Sequence, residues 1–293
     1  MATIFTQVII DGLLWGAIYA LVAVGLTLIW GVMGVLNLAH GDFLMLGMFG
    51  AYWLAVLLGL DPLIGLLIVA PAMFLLGLGF YKSLITRVVK APRLTALLAT
   101  FGLGIFLRHL AHFLWTADYR LIGDTWIGDR VITVSISGGT ILISMPKLLA
   151  AGGSLAATGL LYWFIKRTKT GRALQATAMN RESAALMGID TERMYMLAYS
   201  LGIASVGVAG VLLTNFFIVF PEVGVMFVLF ALVAVTIGGF GSIHGALIGG
   251  LIIGLIESIS GFLWIPALKQ ALVFAVFVIV VIIRPQGLFG WKD

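Results

Sequence analysis

Apolar runs of about twenty residues recur from one end of the sequence to the other, and this repetition constrains the fold more than any single motif does. Separated by short polar punctuation, they fall near residues 5–30, 38–58, 63–82, 94–116, 140–165, 195–219, 225–240, 245–262 and 267–283. An α-helix needs about 20 residues to cross a hydrocarbon core of about 30 Å, and it satisfies its own backbone hydrogen bonds on the way. The pattern predicts an all-α, polytopic transmembrane helical bundle of about eight or nine spans, a single domain over residues 1–293, with broken helices where polar or Gly-rich residues interrupt a run. Composition agrees: 62% of residues are hydrophobic and 10% charged, against roughly a quarter charged in soluble domains. The opening MATIFTQVIIDGLLWG has no cation ahead of its apolar segment and no small-residue cleavage pattern, so it reads as a retained first helix.

The net charge of +5 marks sidedness rather than nucleic-acid binding. Twelve of the 17 Lys and Arg residues fall in residues 82–93, 166–193 and the tail after 283. By the positive-inside rule those regions are cytoplasmic, which puts the N-terminus outside and the C-terminus inside and favours an odd number of crossings. The other five cations are Arg108, Arg120, Arg130, Lys147 and Lys269. The outer loop, residues 117–139, ends in RVITVSISGG, where alternation followed by Gly138-Gly139 predicts a β-hairpin. Such a hairpin is either a docking element for an external partner or a lid over helix ends.

Glycine is abundant, with 37 residues, and patterned. Gly12, Gly16 and Ala20 recur every four residues, as do Ala246, Gly250, Gly254 and Ser258; Gly245 and Gly249 form a second such pair. Burial of apolar surface gives helices in lipid little reason to associate, so small residues that let backbones approach must supply it. IGGFGSIHG, residues 237–245, cannot easily continue a helix and predicts a break or re-entrant turn.

Polar side chains inside the apolar runs are the functional candidates. Asn37, His40 and Asp42 stand together in NLAHGDFLMLG; Thr100, Asn215, Thr236 and Glu257 are scattered. If a helix begins at this stretch, Asn37 caps it and Asp42 lies near its positive end. The group either fixes a helix break by hydrogen bonding or touches a solute. Glu257 alternatively sits near the outer interface, and Asn215 alternatively caps a helix. His109 and His112 have a spacing that suits a metal, but no Cys or carboxylate stands near them in the sequence. They read rather as interfacial residues beside Trp115 and Tyr119 of an aromatic belt. No GxxxxGK[ST], HExxH or GxSxG occurs, and there is no cysteine. This excludes ATP binding in the usual manner by this chain and leaves an enzymatic role without its parts.

The stretch TGRALQATAMNRESAALMGIDTERM, residues 170–194, reads as a short amphipathic helix ending at Gly188. It suits a membrane surface or a groove on a soluble partner. The segments GLTLIWGVMGVLNLAHGDFLMLG, TKTGRALQATAMNRESAALMGID, GGFGSIHGALIGGLIIGLIE and RPQGLFG, in that order, resemble the branched-chain amino-acid ABC importer permeases, LivH-like subfamily, over essentially the whole chain. The resemblance implies a translocating subunit, not an enzyme, in a bacterial or archaeal cytoplasmic (inner) membrane. It implies a related permease subunit, two cytoplasmic ATPase subunits carrying ATP and Mg, and an external or periplasmic substrate-binding protein. It also implies that residues 166–193 carry a coupling helix, with Arg172, Ala173, Ala176, Asn180, Glu182, Ala184, Ala185, Gly188 and Ile189 as ATPase contacts. The solute it implies is a branched-chain amino acid or a related small polar organic compound. Two other readings remain at this point: a self-sufficient channel or ion-coupled secondary transporter using His40, Asp42 and Glu257, and a membrane anchor that recruits a partner.

Overall fold

The computed structural model describes residues 2–289 apart from 90, 124, 129, 137, 138, 264–267 and 285. Lys90, Asp124, Asp129, Gly138, Pro285, Gly290 and Lys292 therefore lie outside the described residues. In chain order come α1 (Ala2–Met33), α2 (His40–Leu58), α3 (Pro62–Phe80), a π-helical turn (Tyr81–Ile85), α4 (Thr86–Val88) and α5 (Arg93–Trp115). The strands β1 (Val131–Ile136) and β2 (Gly139–Ser144) follow, then α6 (Met145–Arg167), α7 (Lys169–Met179) and α8 (Arg181–Leu186). The chain ends in α9 (Thr191–Leu213), α10 (Val223–Gly238), α11 (Ile243–Leu263) and α12 (Lys269–Ile283). Among the described residues seven helical segments are long and apolar enough to cross a membrane, and α10 and α12 are shorter apolar helices. The expected polytopic helical bundle is present.

The scaffold is α1, buried on nearly every side over residues 16–29, as an all-round apolar helix must be. Its stripe Gly12, Gly16, Ala20 lies backbone to backbone on Gly254 and Gly250 of α11, and Ser258 donates to the Val8 carbonyl at 2.7 Å. The second small-residue face of α11 is used as well: Gly245 and Gly249 press on Gly238 and Ala234 of α10. Between α10 and α11 the GGFG stretch makes the predicted break, a tight turn with Gly239 and Gly241 at φ 98° and 81°. The tail folds over that turn, where Leu288 and Phe289 donate backbone N–H groups to the carbonyls of Ile237 and Gly238.

At the other end of α1, the antiparallel hairpin pairs Val131 with Ser144 through Ile136 with Gly139. Gln7 exchanges two hydrogen bonds with Leu142, and Lys147 pairs with Asp11 at 3.1 Å, tying hairpin and α6 to the start of α1. This corrects two expectations. Gly139 is a strand residue rather than a turn residue, and residues 140–144, expected in the fifth span, complete β2 because TILIS alternates and pairs before the helix begins. Trp115 also leaves the expected belt: its ring stacks on Phe49 at 4.3 Å, inside the bundle, while Tyr119 is exposed.

The polar connection after α6 is two helices, not the single one expected. Asn180 adopts an extended conformation (φ −156°, ψ 111°) and its side chain caps α8 by accepting from Ser183 N, so the chain turns there. Gly188 at φ 80° ends α8, and Asp190 caps α9.

Candidate functional site

The stretch NLAHGDFLMLG is a helix junction within the bundle. After Met33 the chain runs without helical structure through residues 34–39, and α2 starts at His40. His40 Nε2 donates to the Val22 carbonyl (3.1 Å), eleven residues before the end of α1. At 1.5 Å per residue, α2 therefore begins about 16 Å back along α1. Backbone groups exposed by such a break need partners. Thr100 on α5 supplies them, accepting from Leu38 N (3.2 Å) and donating to the Leu36 carbonyl (3.1 Å). Asn37 is not the cap: Ala39 occupies that position, and the Asn37 amide instead faces the Tyr199 hydroxyl. Among the described residues His40 Nδ1 makes no hydrogen bond, and Asn37, Tyr199 and His40 are all buried.

Asp42, in the first turn of α2, points the other way, toward α5. Its carboxylate stands 2.9 Å from Arg108 Nε and fills the space a side chain at Gly104 would occupy. The first turn of α2 also meets the first turn of α10, with Gly41 and Gly224 crossing so closely that a methyl group on either would strike the other's carbonyl. Two positive helix ends thus converge where Asp42 sits, which lowers the cost of burying its charge. One turn along α5 from Arg108, His112 contacts the carboxylate of Glu222, the residue before α10. Thr100, Gly104, Arg108 and His112 make a stripe at every fourth position of α5, directed at the α2 junction and the start of α10.

The remaining candidates are not gathered here. Glu257 is buried between α1, α11 and α12, accepting from Tyr19 Oη (2.6 Å) and Lys269 Nζ (2.8 Å). Asn215 donates to the carbonyls of Val211 and Leu212 and so caps the end of α9, the alternative raised for it. Thr236 back-bonds to Leu232 within α10. Among the described residues no group of three His, Cys, Asp or Glu side chains could hold a metal ion, and His112 is engaged by Glu222.

Sequence reasoning missed Arg108, Tyr19 and Lys269 as partners, although a signal existed. An acid inside a span calls for a base inside another, and Arg108 and Lys269 are two of the five cations outside the basic regions. It missed Glu222 because nothing in sequence ties it to His112, 110 positions away.

On the polar connection, Arg172, Asn180, Glu182, Ala185 and Gly188 are exposed, Ala173, Ala176 and Ile189 half-buried, and Ala184 buried. Large apolar side chains stand beside them in full view: Met179, Leu186 (89% exposed) and Met187 (83%). An exposed apolar surface of this kind suits contact with a protein or with the membrane surface.

The sequence profile described as "Branched-chain amino acid transport system / permease component" matches residues 8–281. The chain is 30% identical to the high-affinity branched-chain amino acid transport system permease protein LivH of Salmonella typhimurium, covering 98% of this chain and 96% of that protein. It is equally similar, with the same coverage, to the corresponding permease protein BraD of Pseudomonas aeruginosa. The autoinducer 2 import system permease protein LsrC of Salmonella choleraesuis is 29% identical, over 73% of this chain and 61% of that protein. No solved structure matches the chain.

Proposed function

The chain belongs to the family of branched-chain amino acid transport system permease components, and from that premise we propose that it is the translocating subunit of an ATP-binding-cassette importer. Its solute is a branched-chain amino acid or a related small polar organic compound, and its place is a bacterial or archaeal inner membrane, crossed several times. It works beside a related permease, receives solute from an external binding protein, and is driven by two cytoplasmic ATPases that hold ATP and Mg. The N-terminus and the hairpin lie outside; α7, α8 and the C-terminal tail lie inside.

The observation that carries the reading is the α7–α8 element. It is bent at Asn180, lies outside the apolar spans in the most basic stretch of the chain, and presents Met179, Leu186 and Met187 beside Arg172 and Glu182. This chain has no phosphate-binding loop of its own, so the force must arrive through a contact, and that surface suits one. Movement there is transmitted to α9 through the short connection at residues 187–190, and α9 packs on α1, α2 and α3. α9 therefore couples the inner surface to the junction at His40. In this reading Asn37, His40, Asp42 and Thr100 border the solute's route, while Glu257, Asn215 and Thr236 hold the scaffold around it.

Co-purification tests the reading at its weakest link. A cytoplasmic ATPase should co-purify with this chain from its native membrane, and Leu186→Asp should abolish that association while leaving the permease folded in the membrane. Retention of the ATPase by the Leu186→Asp variant and by a Met179→Asp, Leu186→Asp, Met187→Asp triple variant would remove α7–α8 as the coupling element.

A further inference from the structure

The two ion pairs that α5 makes, with Glu222 and with Asp42, differ in exposure. Side-chain exposure falls from 52% at Glu222 through 28% at His112 and 27% at Arg108 to 4% at Asp42. α5 packs on α2, and the side chains of His112 and Glu222 bridge α5 and the start of α10. Arg108 and Asp42 stand one helical turn deeper, about 6 Å below that bridge.

The deeper pair differs from a purely structural one. Each oxygen of Glu257 has its own hydrogen-bond donor. Asp42 is held by Arg108, its second oxygen lies against Gly104, and His40 Nδ1 stands unpartnered on the same junction, among the described residues. Glycine at 104 gives the carboxylate its room, since any larger residue would strike it.

We propose that the Asp42–Arg108 pair is a binding station for a zwitterionic solute, which enters between α5 and the start of α10 with its carboxylate going to Arg108 and its ammonium to Asp42. This rests on the transport reading above and adds the chemistry of the solute to it. A pair of opposite charges in a poorly solvated site can exchange partners with a zwitterion without changing the net buried charge. A lone carboxylate or a lone amine leaves one protein charge unmatched, which is strongly unfavourable there. The two helix N-termini converging at Gly41 and Gly224 favour the carboxylate further. The station therefore selects amino acids over acids or amines of the same hydrocarbon shape, whatever their side chain. His112 and Glu222 close the rim by the same kind of exchange.

The test uses the full complex in proteoliposomes, with leucine as the probe. Wild-type uptake that requires internal ATP establishes the transport reading by itself, and its absence removes that reading independently of the binding station. Given wild-type uptake, Arg108→Gln should reduce it roughly tenfold or more, the effect of losing a hydrogen bond to a charged group. The double variant Asp42→Asn with Arg108→Gln removes the unmatched charge and restores a merely structural site, but should remain as defective. Double-variant uptake within about twofold of wild type, a difference of only about 0.4 kcal/mol, overturns the proposal.

Because the chain has no cysteine, His112→Cys supplies this subunit's sole thiol. A membrane-impermeant thiosulfonate added outside should modify it, and leucine should slow the modification while 4-methylpentanoate and isopentylamine at equal concentration do not. A thiol that does not react, or that all three compounds protect equally, overturns the proposal even if the Arg108 variants fail to assemble.

Discussion

The two flanks of this bundle solve the problem of holding helices together in lipid in opposite ways. Where α1 meets α11, backbones touch through Gly12, Gly16, Gly250 and Gly254, and the acid of α11, Glu257, is saturated by Tyr19 and Lys269. Where α5 meets α2, contact is thin and made by polar groups: Thr100 on the junction carbonyl and amide, Asp42 on Arg108. Close packing that cannot slide gives a scaffold; exchangeable polar contacts give a surface that can open. The same chemistry, an intramembrane acid with a base, thus serves structure on one flank and, in the proposed reading, transport on the other.

The sharpest way to break this contrast is at the seam. Gly250→Leu drives a side chain into the backbone of Ala20, and overpacking against backbone costs about 3 kcal/mol or more. It should leave little folded protein in the membrane, whereas Gly79→Leu, where a side chain meets open space, should be tolerated. Abundance of the two by quantitative blotting of membranes checks this.

Glu257→Gln comes next. It keeps the shape but leaves Lys269 without its counter-charge, and because Lys269 is partly exposed the loss is about 1–2 kcal/mol. Thermal unfolding in detergent should shift downward, and uptake should fall only in proportion to the protein that remains assembled. If Glu257→Gln instead assembles at wild-type levels and abolishes uptake, the division between the two flanks is wrong.

The smallest effect belongs to the outer surface of α5. Phe113 is 84% exposed and makes no part of the polar stripe, so Phe113→Ala should change stability by less than about 0.5 kcal/mol and leave uptake unaltered.

Much of this contrast is legible in the amino-acid sequence alone. The spacing of Gly12, Gly16 and Ala20 and of Gly250, Gly254 and Ser258 announces a close helix contact, because only small residues at every fourth position allow one. The run of glycines at 238–245 announces a break, because glycine is a poor helix former and tolerates positive φ. What stays hidden is long-range pairing. Asp42 and Arg108, Glu257 and Tyr19, and His112 and Glu222 are brought together by helix packing, and no local pattern in a single sequence encodes which spans are neighbours. The bend at Asn180 escapes for a different reason: an Ala-rich stretch has high helix propensity throughout, and the capping bond of Asn180 to Ser183 overrides it locally. Trp115 shows the same limit, since an aromatic residue near a span end reads as interfacial whether it faces lipid or a neighbouring helix.

One measurement decides between an importer subunit and its rivals: uptake of leucine into proteoliposomes that hold this chain with the partner permease, ATPases and binding protein proposed for it. With ATP enclosed, leucine should accumulate above the external concentration; without ATP, or with a hydrolysis-deficient ATPase, accumulation should vanish. Equal accumulation without ATP, driven by a proton or sodium gradient, would contradict the importer reading and make this chain a secondary transporter.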